Sequence, residues 1–344
     1  MSQWIFELTP LTPLHIGSGE TLDPYEYVIF DDKLYQFSPE QLLMKLSYDE
    51  QERFVDLVEN NLKELQHFLQ QRKELVTPLC PYPIPVTDAA RQTYNEQLRN
   101  PRADLTLYPF IKTTRKPFIP GSSLKGAIRT AMLYNKAPKP VKESNGKRLE
   151  AQNFGYARVV KGEYRGENIG DDPFKSFKIS DSQTLPGVTL LALVKVHTKR
   201  RNGVWREDIS MLREIALSKF FFNFEQRFIH FVQLKEEFSH YDTKLMKFEM
   251  DKIITVCREF YGYHLREEQK YLANLPPAAA FYDQLIQWEK GLHDNSFIVR
   301  FGWGSGFDAV TVNYARERPE RKRSRRLAEG GVPLGWAQIK VKQC

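Results

Sequence analysis

Apolar and polar positions recur with two different periods along the 344 residues of the chain. The stretch QWIFELTP and the segment YEYVIFDDKLYQF have the alternation typical of strands, and the second predicts a hairpin with Asp31 and Asp32 at its tip. Leucine and phenylalanine return every three or four positions over residues 39–76, which predicts helices. The proline-rich TPLCPYPIPV then ends the helical segment, because proline cannot continue a helix.

The rest of the chain shows the same mixture of strand and helix patterns. FKSFKISDS, VTLLALVKVHTKR and the final PLGWAQIKVK predict strands, and a short helix is predicted from Ser122 to Tyr134. Residues 206–293 predict mostly helix, with apolar positions such as Leu212 and Ile215. Residues 136–172 are polar, basic and glycine-containing, which predicts a loop region with a short helix.

These elements predict an α+β fold in two domains. The N-terminal domain spans residues 1–150 and carries a helical insertion at 39–76. The C-terminal domain spans residues 151–344 and carries the helical block 206–293. A chain of 344 residues has enough length for a hydrophobic core in each domain.

Composition and charge narrow the class of partner. Hydrophobic residues make up 41% and charged residues 27%, which is typical of a globular chain, and the formal charge of +7 favours a polyanionic partner such as a nucleic acid. The three cysteines, Cys80, Cys257 and Cys344, are too far apart in sequence to indicate a disulfide framework or a zinc site. The N-terminus lacks a signal-peptide pattern, and VTLLALVKV is too short to span a bilayer. We therefore expect a cytoplasmic protein with no membrane partner.

The stretch FIPGSSLKGAIRTAML is close to a nucleotide-binding P-loop but lacks its chemistry. Gly121 and Gly126 have the spacing of G-x-x-x-x-G-K-[ST]. Ala127 and Ile128 stand where that motif has its phosphate-binding lysine and its magnesium-binding hydroxyl. The sequence therefore predicts no nucleotide and no other cofactor.

A more general anion-binding device survives in this stretch. Ser122 or Ser123 is suited to cap the helix, and the first N–H groups of a helix attract anions. Lys125 and Arg129 lie four residues apart and so share one helical face. Two interpretations remain open: a site for RNA backbone phosphates, or an ordinary capped helix with a solvated basic face.

Two further glycine-rich loops and one basic run extend the pattern. Glycine lets backbone N–H groups approach phosphates closely, and an aromatic ring can stack on RNA bases or pack in the core. The basic run RERPERKRSRR at 316–326 predicts either a solvated loop or a clamp on RNA or on an acidic neighbour. The candidate RNA-binding residues of these segments are His15, Gly17, Ser18, Gly19, Gly302, Trp303, Gly304, Ser305, Gly306, Arg323, Arg325 and Arg326.

Four motifs together resemble a known family. LTPLHIGSGE, FIPGSSLKGAIRTAML, DDPFKSFKISDS and GWGSGF occur in the order found in the RAMP superfamily of CRISPR-associated proteins. The trailing PLGW and the overall length are most similar to the family of fifth subunits of the Csm complex, the type III-A CRISPR effector. The resemblance covers both ends and the middle of the chain, and it is least informative over residues 206–293.

The resemblance implies a fold and a set of partners. RAMP proteins consist of ferredoxin-like βαββαβ domains related to the RNA-recognition fold, here two of them. The glycine-rich loops and the helix after Gly121 are expected to lie against a guide crRNA. The chain is expected to cap the backbone filament at the 3′ end of the guide. Its expected protein partners are the terminal repeating backbone subunit and the small helical subunit. Host nucleases are expected to join it in crRNA 3′-end maturation, and no direct DNA contact is expected.

Catalysis has weak support in the sequence. Asp23, Asp31 and Asp32 follow the first glycine motif, and turn formation explains all three. His15 is the residue that a metal-independent, crRNA-processing endoribonuclease would use as general acid and base. We expect a non-catalytic RNA-binding subunit and no metal site, and we keep the endoribonuclease as the alternative.

Overall fold

The computed structural model describes residues 2–135, 151–152, 156–234, 248–306 and 324–344. The strands in these residues are β1 (Ser2–Pro10), β2 (Tyr27–Phe30), β3 (Lys33–Gln36), β4 (Ile84–Pro85), β5 (Lys112–Thr113), β6 (Lys116–Pro117), β7 (Ala157–Val160), β8 (Glu163–Glu167), β9 (Phe177–Ile179), β10 (Thr189–Lys199), β11 (Trp205–Ala216), β12 (Phe228–Leu234), β13 (Ser296–Arg300), β14 (Ser324–Ala328), β15 (Val332–Pro333) and β16 (Trp336–Gln343). The helices are α1 (Pro39–Leu43), α2 (Tyr48–Asn60), α3 (Leu62–Gln70), α4 (Lys73–Val76), α5 (Asp88–Arg99), α6 (Gly121–Asn135), α7 (Lys219–Phe222), α8 (Met250–Leu272) and α9 (Pro276–Lys290). The fold therefore mixes helices and sheets, as the sequence predicts.

The central sheet has five antiparallel strands in the order β13-β16-β1-β12-β9. Its middle strand is β1, which pairs with β12 on one side and with β16 on the other. One face carries Phe6, which contacts the rings of Phe177 and Phe297 from two other strands. The first strand of the chain is therefore held between strands of the C-terminal half.

Two helices complete the core of the central sheet. α6 packs against α8, and the Tyr261 hydroxyl of α8 donates a hydrogen bond to the carbonyl of Ala127 in α6 at 3.0 Å. Apolar residues of both helices belong to one buried cluster with Phe6, Phe297 and Ile339 of the sheet. Burial of this apolar surface is the main stabilising contribution to this part of the fold.

The division of the chain at residue 150 does not follow this sheet. β1 lies before the predicted boundary, whereas its partners β12 and β16 lie after it. The largest buried cluster likewise includes residues from Phe6 to Val341. Strand pairing across the boundary means that the two predicted segments share one sheet and one core.

A second sheet has the order β11-β10-β14-β15, and a third has the order β2-β3-β4. β2 and β3 form the predicted hairpin, with Asp31 (φ 46°) and Asp32 (φ 57°) in the left-handed conformation that a two-residue turn requires. The helices predicted over residues 39–76 are present as α1–α4, which pack on this hairpin around Phe54 and Phe68.

The prediction of mostly helix over 206–293 is wrong for its first part. Residues from Trp205 to Ala216 form β11, which pairs along its length with β10, and Phe228–Leu234 form β12. Leu212 and Ile215 have spacing that fits a helical face, yet the strand is stabilised by its ladder with β10. Apart from the short helix α7, the helices that the structure describes in this block are α8 and α9, and the first of them begins at Met250.

The loop predicted over 136–172 also contains strands. Ala157–Val160 and Glu163–Glu167 form the hairpin β7-β8, with Lys161 (φ 52°) and Gly162 (φ 79°) at the turn. Polar composition conceals a strand when both of its faces are largely exposed, as in this hairpin. Residues 136–150 lie outside the described part of the chain.

Candidate nucleic-acid interface

The loops of the motifs LHIGSG and GWGSG are in direct contact. The Trp303 N–H donates a hydrogen bond to the carbonyl of His15 at 2.8 Å. Gly302 has φ of +82°, and a Cβ atom there would lie 2.6 Å from the same carbonyl oxygen. Only glycine fits at such a contact. The structure therefore joins two of the three predicted loops into one surface.

The other glycines of the second loop support packing within the protein. Gly304 has φ of +85°, and a Cβ atom there would lie 2.7 Å from Leu334 Cδ1. Ser305 is buried, and Gly306 (φ +94°) lies beside the guanidinium of Arg300. We expected these residues to bring the backbone close to RNA. The contacts show that Gly302 and Gly304 instead allow the loop to pack against its own protein.

His15 is buried and neutral. Its side chain is 2% exposed, Nδ1 lies 2.7 Å from the carbonyl oxygen of Glu214, and Nε2 lies 3.0 Å from Nη1 of Arg213. A carbonyl accepts and a guanidinium donates, so Nδ1 carries the proton and Nε2 accepts. Burial lowers the pKa of His15 to about 4, and Arg213 lowers it further against the opposing effect of the Glu214 carbonyl. Both nitrogens are occupied, which argues against His15 as the general acid and base of the alternative expectation.

Arg213 is the residue that sequence reasoning missed. It lies in β11, is 7% exposed, and its guanidinium carbon is 3.5 Å from the Trp303 ring centre and 4.0 Å from that of Tyr108. No carboxylate pairs with it in the described part of the chain, and its Nε has no hydrogen-bond partner there. Burial lowers the pKa of Arg213 to about 10. Tyr108 raises this pKa, whereas the nearby charge of Arg326 lowers it further. It remains a cation at neutral pH, and no motif indicated it.

A second arginine contacts the same indole. Arg326 is exposed in β14, with its guanidinium carbon 4.6 Å from the Trp303 ring centre. The loop Gly17–Gly19 is exposed as well, and a Cβ atom on Gly17 would lie 3.3 Å from His15 Nε2. We call His15, Arg213, Trp303, Arg326 and the loop Gly17–Gly19 the Trp303 cluster. It combines two cations, a half-buried aromatic ring and an exposed glycine-rich loop that includes Ser18, which suits a phosphate or a base of RNA.

The start of α6 differs from the expectation. The helix begins at Gly121, so Ser122 and Ser123 lie inside its first turn and neither is its cap. The Gly121 N–H donates to Oδ1 of Asp181 at 2.8 Å. A Cβ atom on Gly121 would lie well inside contact distance of the Ile179 carbonyl oxygen, which is why glycine is required here. One of the donors expected to bind phosphate is therefore already used by a carboxylate.

Arg129 has a partner within the chain. Its Nη1 lies 3.1 and 3.0 Å from the two carboxylate oxygens of Asp172, and its Nη2 donates to the Tyr156 hydroxyl at 2.8 Å. This pairing corrects the expectation that Arg129 is available to phosphates. Lys125 is half-buried, and burial lowers its pKa, with Asp172 opposing this shift. Within the described residues Lys125 makes no ion pair.

The two described arginines of the basic run, Arg325 and Arg326, lie in different environments. Arg325 is 6% exposed, and its Nη2 lies 2.6 Å from Oε1 of Glu268, a buried carboxylate that also contacts Arg300 at 3.1 Å. Burial alone would raise the pKa of Glu268, but Arg300 and Arg325 hold it at about 2. Arg325 thus stabilises the core. This burial corrects the expectation that Arg325 contacts RNA. Arg323 lies outside the described residues.

The aspartates considered for catalysis have structural partners. Asp23 accepts a hydrogen bond from the Tyr25 hydroxyl at 3.0 Å, Asp31 pairs with Lys73 at 2.9 Å, and Asp32 pairs with Arg91 at 3.1 Å.

Where the structure describes the chain, it contains no group of three or more metal-ligating side chains. The same residues include no helix long and apolar enough to cross a membrane. The three cysteines are free.

Comparison with known proteins points to one family. A protein described as "CRISPR system Cms protein Csm5" from Methanocaldococcus jannaschii is 25% identical over 317 residues, covering 88% of this chain and 71% of that protein. A protein of the same description from Streptococcus thermophilus is 28% identical over 228 residues, covering 60% of this chain and 61% of that protein.

Solved structures share the fold. A chain of a cryo-EM structure of a Csm–crRNA–target RNA ternary complex in a type III-A CRISPR–Cas system aligns with a TM-score of 0.69 and 21% identity, over 99% of this chain and 100% of that chain. The crystal structure of T. onnurineus Csm5 aligns with a TM-score of 0.63 and 20% identity, over 96% and 99%. The profile of the RAMP superfamily matches residues 7–267, which is more than half of the sequence, and the chain therefore belongs to the RAMP superfamily.

Proposed function

We propose that this chain is a non-catalytic, RNA-binding structural subunit of a type III-A CRISPR ribonucleoprotein. The observation that carries the proposal is the pair of arginines, Arg213 and Arg326, over the single indole of Trp303. Neither arginine has a carboxylate partner among the described residues. Their charge is thus available to a polyanion. We propose the guide crRNA as that polyanion, and the similar fold of a chain in a Csm–crRNA–target RNA complex supports this proposal.

The chain topology supports an RNA-recognition type of fold. Along the chain, β1, α6, β9, β12, α8 and β16 have the succession strand-helix-strand-strand-helix-strand, and the four strands lie in the order β16-β1-β12-β9. This succession and strand order support the ferredoxin-like connectivity that the resemblance implies. We propose that the ferredoxin-like unit is discontinuous, with residues 39–76 inserted between its first strand and first helix. A second such unit stays a proposal.

We further propose that the chain caps the filament at the 3′ end of the guide and supports its maturation there. The terminal repeating backbone subunit and the small helical subunit are the proposed neighbours, and host nucleases are the proposed partners in maturation. In the cluster, the exposed Arg326 contacts backbone phosphates, and the buried Arg213 adds positive charge behind the Trp303 ring. The accessible part of Trp303 stacks on a base, and the N–H groups of Gly17–Gly19 face the backbone.

A charge-removal experiment tests RNA binding. The double variant Arg213→Gln/Arg326→Gln removes the exposed cation of the Trp303 cluster and the buried cation behind it, so the salt dependence of binding to single-stranded guide RNA should flatten by at least about 0.7 in log–log slope. The control Lys45→Gln/Lys175→Gln removes two exposed cations elsewhere and should leave the slope unchanged. Equal slopes for the wild type and the cluster variant would contradict the proposal.

The assembly role has its own test. Native mass spectrometry of the complex purified through this chain should show one copy, and footprinting should show loss of guide protection at the 3′ end in the cluster variant. Two or more copies would exclude a cap.

A cleavage assay tests the alternative function. The wild type and His15→Ala are incubated with repeat RNA, with and without EDTA. No cleavage that depends on His15 is expected, because His15 is buried with both nitrogens bonded.

A further inference from the structure

Charge is unevenly distributed between the helical insertion and the rest of the chain. Residues 39–76 contain eight carboxylates and five cationic side chains, a net charge of −3, whereas the whole chain carries +7. The imbalance is concentrated in α2, whose sequence YDEQERFVDLVEN holds five carboxylates and one arginine. A surface of this sign repels a phosphate backbone. The insertion is therefore unsuited to RNA.

The outer face of α2 also exposes apolar side chains. Tyr48 is 72% exposed and Val55 is 49% exposed, and they alternate with Glu52 and Glu59 at positions i, i+4, i+7 and i+11. This spacing places all four on one side of the helix. We call these four residues the acidic stripe.

A third apolar side chain lies at the edge of the stripe. Met44 is 83% exposed at the end of α1. The amide of Gln51 in α2 donates to the carbonyls of Leu43 at 3.0 Å and Leu46 at 3.1 Å. These bonds hold the turn that carries Met44 against the same helix.

The stripe is distinct from the packed side of α2. Phe54 and Leu57 are buried in the insertion core, so the helix already has a complete apolar face. Glu50 pairs with Arg72 at 2.8 Å, whereas Glu52 and Glu59 have no cationic partner in the part of the chain that the structure describes. Two uncompensated carboxylates thus lie beside exposed apolar groups, Glu52 between Tyr48 and Val55 and Glu59 beyond Val55.

An open cleft continues the acidic surface beyond the end of α2. Its volume is about 850 Å³, and Asp23, Glu59 and Asp104 contribute carboxylates to its lining. The cations in the lining are Arg99 and Lys63, and the Lys63 ammonium is already bound by the carbonyls of Gln97 and Ala103 at 2.9 and 3.0 Å. The stripe and the cleft meet at Glu59.

We propose that the acidic stripe and the adjoining cleft dock a protein partner with a lysine- or arginine-rich surface and an apolar anchor. Charge complementarity selects a basic partner, and Met44, Tyr48 and Val55 supply the apolar contact that a protein interface has at its centre. A nucleic acid is excluded by its charge. The stripe and the cleft share no residue with the Trp303 cluster, and we assign a basic protein to the first two and RNA to the cluster. The docking proposal rests on the proposed function only in that RNA is assigned to the Trp303 cluster.

Site-specific photocrosslinking tests the docking site. p-Benzoylphenylalanine replaces Tyr48 in the full chain, cells of the source organism are irradiated, and mass spectrometry identifies the crosslinked peptide. The expected result is a peptide of another protein with net positive charge. Its yield should fall at least fivefold when Glu52→Lys and Glu59→Lys are added. The control places the same crosslinker at Phe231, which is 63% exposed in β12, and its products should not change with this charge reversal.

A synthetic copy of the crosslinked peptide gives a second measurement. It should bind the wild-type chain at least tenfold more tightly than Glu52→Lys/Glu59→Lys, whose melting temperature should stay near the wild-type value because both residues are exposed. The same variant should retain guide RNA, so loss of docking and failure of RNA binding by the Trp303 cluster give different results. Crosslinks to RNA, crosslinks that charge reversal leaves unchanged, or no crosslink at Tyr48 would each overturn the proposal.

Discussion

The Trp303 cluster and the start of α6 contain the same kinds of residue, yet their charges are balanced differently. At α6, Asp172 binds Arg129 through both carboxylate oxygens, and Asp181 accepts from the first N–H of the helix. At the cluster, Arg213 is enclosed by the rings of Tyr108 and Trp303 instead. An aromatic ring stabilises a cation without cancelling its charge, whereas a carboxylate cancels it.

The difference shows what makes an arginine available to RNA. Each of the two sites has a glycine-rich loop and basic side chains, and sequence reasoning treats them alike. The deciding property is whether a carboxylate from a distant segment reaches the guanidinium. Asp172 lies 43 residues from Arg129 in sequence, a separation that no local pattern reports.

The largest expected effect is on stability at α6. Asp172→Ala removes the carboxylate that accepts from both the Arg129 guanidinium, which is 15% exposed, and the Phe174 N–H, and should lower the free energy of unfolding by about 2–4 kcal/mol. Denaturant unfolding measures the loss. Asp171→Ala is the control, because it removes a neighbouring carboxylate that accepts from the Asn168 amide and forms no ion pair with any described residue. Equal losses in the two variants would show that the ion pair has no special role.

The pH dependence of stability tests the buried histidine of the cluster. Its folded pKa is about 4, below the ordinary value of 6.5, so the unfolded state binds a proton first as the pH falls. The stabilising contribution is complete above pH 6.5 and is lost as the pH falls towards 4, by about 3 kcal/mol in total. His15→Gln should remove this part of the slope.

A second histidine sets the background for this measurement. Burial also lowers the pKa of His230, so part of the slope should persist in His15→Gln. His67→Gln changes an exposed histidine and should keep the full slope. An unchanged slope in His15→Gln would contradict the neutral, bonded imidazole of the cluster.

The exposed arginine of the cluster should affect RNA binding with little effect on stability. Arg326→Ala should weaken binding to single-stranded guide RNA by about 1 kcal/mol and reduce the salt slope by about 0.7. Filter binding over a range of salt concentrations measures both quantities. Lys45→Ala removes an exposed cation from the acidic insertion and should leave both unchanged.

The smallest effect is expected for Lys125 at α6. This ammonium is half-buried beside the Asp172–Arg129 pair, so Lys125→Ala should weaken RNA binding by about twofold or less. A loss larger than that of Arg326→Ala would reverse the comparison and identify the start of α6 as the main phosphate site. The same salt titration distinguishes the two outcomes.

Local patterns predicted much of the fold. The hairpin at Asp31 and Asp32, the helices of residues 39–76 and helix α6 follow from short-range periodicity and turn chemistry. β11 was predicted as helix because the three-residue spacing of Leu212 and Ile215 fits a helical face, whereas the ladder with β10 selects a strand in which these two residues belong to different buried clusters. Pairing partners far apart in sequence cannot be read from such spacing.

The sequence by itself determined the helices of residues 39–76, helix α6, the hairpin and the motifs that meet at the site, because these depend on neighbouring residues, whereas helix α5 was not predicted. Tertiary structure alone decided which cations remain available. It buried Arg325 against Glu268 and paired Arg129 with Asp172. It also placed Arg213, which lies in a strand that no sequence motif indicates, over Trp303. Coulomb energy and burial depend on distances in space, and those distances are set only when β1 lies between β12 and β16 and the two ends of the chain meet.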